Sequence, residues 1–199
     1  AVKAGKKAIA FDLNPLTSFV IEAYCSKYDD KKFVESVKKI RDALEKDSIY
    51  NRYFRTKCRE CGSDLAIIQN AKWEKGQIYE VGVICNKCLK GKKNKYISLP
   101  DKIDFNNANE SENIVIENWI PTDEFYVSPS FGQSFINKIG GNNFSYLWTK
   151  RNLYVLAFIF DLILKEKDFD LKKQLVFGFL QTVHLSSKMC VPRREKAKR

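Results

Sequence analysis

Apolar residues recur along this chain in two rhythms. Leu16, Phe19, Val20, Ala23 and Tyr24 fall at helical spacing behind Asn14, a good N-cap, and Pro15, which suits the first helical position. A second helix is expected after Asp29 and Asp30, with Phe33, Val37, Ile40 and Leu44 along one face. Thr149 is placed to cap a third, striped by Leu153, Leu156, Ala157, Phe160, Ile163 and Leu164. Val155, Phe158, Ile159 and Leu162 make that helix apolar nearly all round, so burial on more than one side is expected. A last helix runs from about Asp170 to Lys188, with Leu171, Leu175, Phe179, Leu180 and Val183 on a face.

Strand signals are shorter. Lys7 to Phe11 reads as a buried strand ending at Asp12, and Leu65 to Gln69 with Ile78 to Ile84 reads as a hairpin. Strand, tight turn and helix in succession are the units of an α/β sheet domain. Five segments follow: an α/β unit over 1–50, a cysteine-bearing β segment over 53–96, a polar, asparagine-rich connection over 97–147, a two-helix segment over 148–190, and a basic tail over 191–199.

With 199 residues and 44 % hydrophobic content, the chain can supply a core. Its longest apolar run, Leu153 to Leu164, is interrupted by Asp161 and falls short of the roughly 20 residues that cross a bilayer. No membrane span is expected. The formal net charge of +11 and pI near 9.3 favour a polyanionic partner, because each cation set against a phosphate releases a condensed counterion. Part of the excess lies in the tail, at Lys188, Arg193, Arg194, Lys196, Lys198 and Arg199, where a solvated end is the competing reading.

Four of the six cysteines form two Cys-x-x-Cys pairs, Cys58 with Cys61 and Cys85 with Cys88. A two-residue spacer lets the chain fold back so that both sulfurs reach one ion, and two pairs complete a tetrahedron. Zinc accepts four thiolates, and with no open position it cannot activate water, so a structural ion is expected. Redox pairs or an iron–sulfur site are the alternatives; a redox site needs one such pair, normally at a helix start, whereas these pairs bracket a hairpin. No secretory leader is read at the start, and a reducing cytoplasm is the expected compartment. Lys57, Arg59, Lys87 and Lys90 surround the pairs, and Trp73 and Tyr79 between them suit stacking on bases or packing on each other. Cys25 and Cys190 are expected to be free thiols, and His184 a packing or surface residue.

The stretch Lys6-Lys7-Ala8-Ile9-Ala10-Phe11-Asp12-Leu13-Asn14-Pro15 resembles the end of the second strand of class I S-adenosylmethionine-dependent methyltransferases, where Asp-x-Asn-Pro is common among DNA methyltransferases. The cysteine pairs follow, then Asn118-Trp119-Ile120-Pro121, then Leu147-Trp148-Thr149-Lys150-Arg151-Asn152 opening a helix, and Ser186-Ser187-Lys188-Met189 ending the next. In that order they resemble the adenine-specific DNA methylases with a zinc-ribbon insert, whose helix often opens Leu-Phe-Thr-x-Arg; Trp148 stands for the Phe.

The resemblance implies part of a Rossmann-like methyltransferase domain with an inserted β zinc ribbon and long C-terminal helices, of the restriction–modification kind and acting on DNA. Asp12 would accept hydrogen bonds from the ribose hydroxyls of S-adenosylmethionine and Leu13 would lie against its adenine. The glycine-rich Phe-x-Gly-x-Gly loop and the Asp-Pro-Pro-Tyr motif of that family are absent; Ser128-Pro129-Ser130-Phe131 is the nearest echo of the latter. The chain therefore reads as an internal piece with no catalytic residues of its own. The alternative from another class is a non-enzymatic zinc-ribbon module that binds nucleic acid.

Overall fold

The computed structural model describes residues 2–27, 29–74, 77–88, 95–126 and 133–189. Ser128 to Phe131, Lys90, Cys190 and the basic tail, all singled out in the sequence, lie outside the described residues.

The fold is mixed α/β. Helices α1 (Pro15–Cys25), α2 (Asp30–Lys46) and α3 (Ser48–Phe54) come first, each opened by a side-chain cap. Asn14 Oδ1 accepts from the Leu16 amide at 2.9 Å, Asp29 Oδ1 from the Lys31 amide at 2.9 Å, and Asp47 Oδ1 from the Tyr50 amide at 2.7 Å. These bonds satisfy amides that a helix start otherwise leaves bare. Four strands follow, β1 (Arg55–Thr56), β2 (Ala66–Glu74), β3 (Gln77–Cys85) and β4 (Lys95–Ser98), in one sheet of order β1-β2-β3-β4 with every pairing antiparallel. The expected hairpin is β2 with β3, which pairs Ala66 with Cys85 and Glu74 with Gln77.

The polar stretch read as a connection contains helix α4 (Lys102–Glu110), then α5 (Gln133–Ile139). Its amide-rich composition concealed a capping box: Asp101 Oδ1 accepts from the Asp104 amide at 2.9 Å, and Asp104 Oδ2 from the Asp101 amide at 3.1 Å. Ala108, one turn on, is 2 % exposed and joins the sheet's core with Ala66, Ile68, Ile78, Val81 and Val83. Helices α6 (Lys150–Leu164) and α7 (Phe169–Leu185) close the described chain, capped by Thr149 and Asp168. Ile163, Leu171 and Leu175 form a second core with Phe33 and Ile40 of α2.

The expected strand at Lys7 to Phe11 joins no sheet among the described residues. Ile9, Phe11 and Leu13 are 94 %, 93 % and 103 % exposed. A lone extended segment has neither a ladder for its amides nor a face to bury, so alternation alone does not make it a strand. The described sheet is wholly antiparallel, and it sits beside the cysteines rather than ahead of α1.

Candidate metal centre

Cys58 lies two residues past the end of β1, and the chain then reverses: the Cys58 amide donates to the Ser63 carbonyl at 2.8 Å and the Gly62 amide to the Cys58 carbonyl at 2.9 Å. Gly62 holds φ +69° at this reversal, a left-handed conformation that strains any residue with a Cβ. Cys85 ends β3 and Cys88 lies in the turn beyond it. Pairing of Ala66 with Cys85 and Thr56 with Ala66 brings the two turns to the same end of the sheet.

All four Sγ atoms lie within 4.8 Å of one another, with Cys58 to Cys88 and Cys61 to Cys85 at 3.7 Å each. A tetrahedron with metal–sulfur bonds of about 2.3 Å has edges of about 3.8 Å, so the spacing suits one ion. A disulfide would need about 2.05 Å, and none of the four is in one. Cys58 and Cys85 are buried, Cys88 is half-buried and Cys61 is exposed. Four sulfur ligands leave no position for water, so such a site holds structure and does no hydrolytic chemistry.

The surroundings of Cys58 set it apart. Burial raises its thiol pKa, but hydrogen bonds from the Tyr96 hydroxyl and from the backbone of Cys61 and Glu60 outweigh that and bring it down to about 6. Cys88 moves the other way, raised first by its hydrogen bond with Cys61 and then by burial, because sulfurs this close cannot all ionise without a cation. Tyr96 itself is pushed up to about 12, chiefly by burial and then by its bond to Cys58.

Arg59 lies inside the first cysteine pair, yet its charge is turned away from the sulfurs. Its guanidinium pairs with Asp104 and, at 3.2 Å, with Asp101, and donates to Thr56 Oγ1 at 2.7 Å. Asp104 is 0 % exposed and also accepts from Thr56 Oγ1 at 2.7 Å. Arg59 thus fastens the cysteine turn to α4 and is not a free phosphate ligand. Lys57 and Lys87 remain exposed beside the cysteines.

Asp12 and Leu13 stand on a different element. Asp12 is exposed, and its Oδ1 accepts from the Asn14 amide at 2.7 Å, closing a turn ahead of α1. Leu13 touches no core. Arg151, in the motif that opens α6, is 6 % exposed: it donates to the Tyr53 carbonyl at 3.2 Å, with its guanidinium carbon 5.3 Å from the Phe54 ring centroid, and burial lowers its pKa. Lys150 and His184 are exposed.

The remaining motif stretches meet one another. Trp148 Nε1 donates to the Val183 carbonyl at 2.9 Å, Asn152 Nδ2 to the Ser186 carbonyl at 2.8 Å, and the Lys188 amide to the Leu147 carbonyl at 2.7 Å. Trp119 and Pro121 line an apolar cavity of 190 Å³ with Trp148 and Phe160. These residues lock the start of α6 to the end of α7. Tyr96 and Asp104 had no place in the sequence reading; the Asp101-x-x-Asp104 spacing was the available signal for the second. Comparison of the chain with protein families, curated proteins and solved structures gives no match.

Proposed function

We propose that these residues are part of an S-adenosylmethionine-dependent DNA methyltransferase, acting on the N6 amine of adenine, in which Cys58, Cys61, Cys85 and Cys88 hold one structural zinc in a ribbon inserted after the α1–α2 unit. The observation that carries the reading is at the amino-terminal side. A segment without regular secondary structure, with Ile9, Phe11 and Leu13 bare, runs through Asp12 straight into a capped helix. Large apolar residues on one side and Ala8 and Ala10 on the other are what a strand buried on both faces carries, and a parallel sheet is the cover that suits it. A carboxylate where such a strand ends is placed for a ribose diol.

The residues fit a supporting role. The Asp12 carboxylate would bind and orient the ribose hydroxyls, and Leu13 would exclude water from one adenine face. S-adenosylmethionine supplies an electrophilic methyl on sulfonium. The target base must leave the stack before its amine lone pair can face that methyl. Nothing among the motifs present would hold that amine, so methyl transfer is not expected from these residues alone.

In the full-length gene product, Asp12→Ala should raise KM for the cofactor about 10- to 100-fold, the loss expected for charge-assisted hydrogen bonds, and leave KM for DNA nearly unchanged. Equal effects on the two constants would count against the ribose role, and measurable DNA methylation by residues 1–199 would count against their incompleteness.

A non-enzymatic nucleic-acid-binding module is the second reading, favoured by Trp73 and Tyr79, which are 39 % and 47 % exposed on the hairpin. It expects binding of DNA or RNA that weakens with salt and with Trp73→Ala, and no affinity for the cofactor.

A further inference from the structure

We infer that Tyr96 is a positioning residue of the metal centre, its hydroxyl being the hydrogen-bond donor that orients Cys58 and tempers its thiolate. The inference rests on the four-cysteine metal reading above and adds a residue to it. Strand β4 pairs with β3 so that Tyr96 lies opposite Val83, two residues before Cys85, and the tyrosine ring packs on the core that contains Cys58 and Cys85. Its hydroxyl is 3.2 Å from Cys58 Sγ and 2.9 Å from the Arg59 amide nitrogen.

The direction of the bond follows from counting protons. An amide N–H only donates, so the phenol oxygen accepts from Arg59. A phenol carries one proton, and with the oxygen's lone pair facing Arg59 that proton is free to point at sulfur. Arg59 is in turn held by Asp101 and by the buried Asp104 and Thr56, so the donor is aimed by a chain of fixed partners. Among the described residues, Tyr96 is the one non-cysteine side chain with a hydrogen bond to a cysteine sulfur, which makes the four ligands unequal.

Outer hydrogen bonds of this kind orient metal ligands, and losing one commonly costs 10- to 100-fold in metal affinity. A hydrogen bond also withdraws electron density from a thiolate, so its loss should lower the energy of the sulfur-to-metal charge-transfer band. Cobalt(II) reports both effects in the full chain. Tyr96→Phe should bind cobalt and zinc about 10- to 100-fold more weakly, with its charge-transfer band moved to longer wavelength. Tyr79→Phe, at an exposed tyrosine of the same sheet, should change neither.

Metal affinity within twofold of the parent, or an unmoved band whatever the affinity, would overturn the role, since simple packing does not tune a sulfur donor. If Tyr96→Phe fails to fold, 3,5-difluorotyrosine at position 96 serves instead. Its more acidic hydroxyl is a stronger donor and must move the band to shorter wavelength; a band left in place overturns the role equally. Parent protein that takes up no cobalt would sink the metal reading itself, a result distinct from either.

Discussion

Arg59 and Asp104 form an ion pair across 45 residues, joining the first cysteine turn to the first turn of α4. The carboxylate is wholly buried, and Thr56 and the Asp101 amide satisfy it further. Removing one partner of a buried pair strands the other's charge, at a cost of about 3–5 kcal/mol. Asp104→Ala should therefore lower the stability of the metal-loaded protein toward the lower end of that range, because Arg59 keeps Asp101 at 3.2 Å. Replacing both partners, as Arg59→Met with Asp104→Leu, should recover part of the loss. Urea unfolding of the parent, Arg59→Met, Asp104→Leu and the double variant gives the coupling, and strictly additive losses would show that the two residues do not act as a pair.

The same pair sets how far the effect of metal removal spreads. The sheet's core is small: Ala66, Ile68, Ile78, Val81 and Val83, closed by Ala108 of α4 and by the cysteines. Without an ion, four sulfurs within 4.8 Å lose the attraction that holds both turns together. Chelation, or Cys61→Ser, should open residues 55–88 and also α4, which shares their core and the Arg59 link. Helices α6 and α7 keep their own core with α2 and should stay protected. Hydrogen–deuterium exchange before and after chelation reads this directly. Unchanged uptake across the sheet, or equal loss in α7, would refute a locally metal-dependent unit.

Elements carried by short-range signals were readable from the residues. Asn14 and Thr149 cap the helices they were expected to cap, α2 begins at Asp30 close to where it was expected, and the hairpin between the cysteine pairs lies where its apolar runs put it. The close approach of the four sulfurs was also legible, because a two-residue spacer is local geometry. What long-range partners decide was hidden. Lys7 to Phe11 has strand composition but no neighbouring strand among the described residues, and pairing is not written in one segment. Asp104 looked like one more polar residue in a polar run until Arg59 made its burial affordable in electrostatic terms. Nothing local marks Arg151 for burial either; the Tyr53 carbonyl and Phe54 ring that receive it come from a distant part of the chain.

Alkaline pH should unfasten α6 from the α2–α3 junction. Tyr154 on α6 donates its hydroxyl to Asp47 Oδ2 at 2.8 Å, while the other oxygen of Asp47 caps α3. Burial, then the bond to Asp47, then the negative charges of Asp47 and Glu117 push the Tyr154 phenol up to about 12. In the unfolded chain a tyrosine ionises near 10. The folded value is thus the higher one, so the folded state binds more protons between these two values and stability falls as pH rises through them. The contribution is complete below about pH 10 and gone above about 12. Denaturation midpoints measured from pH 8 to 12 should decline across that window, and Tyr154→Phe should start lower at pH 8 yet decline less. Tyr50, raised mainly by burial, adds to the decline in both proteins, which is why the difference between them carries the test. Parallel curves for the two would show that the hydroxyl bond to Asp47 does not hold this junction.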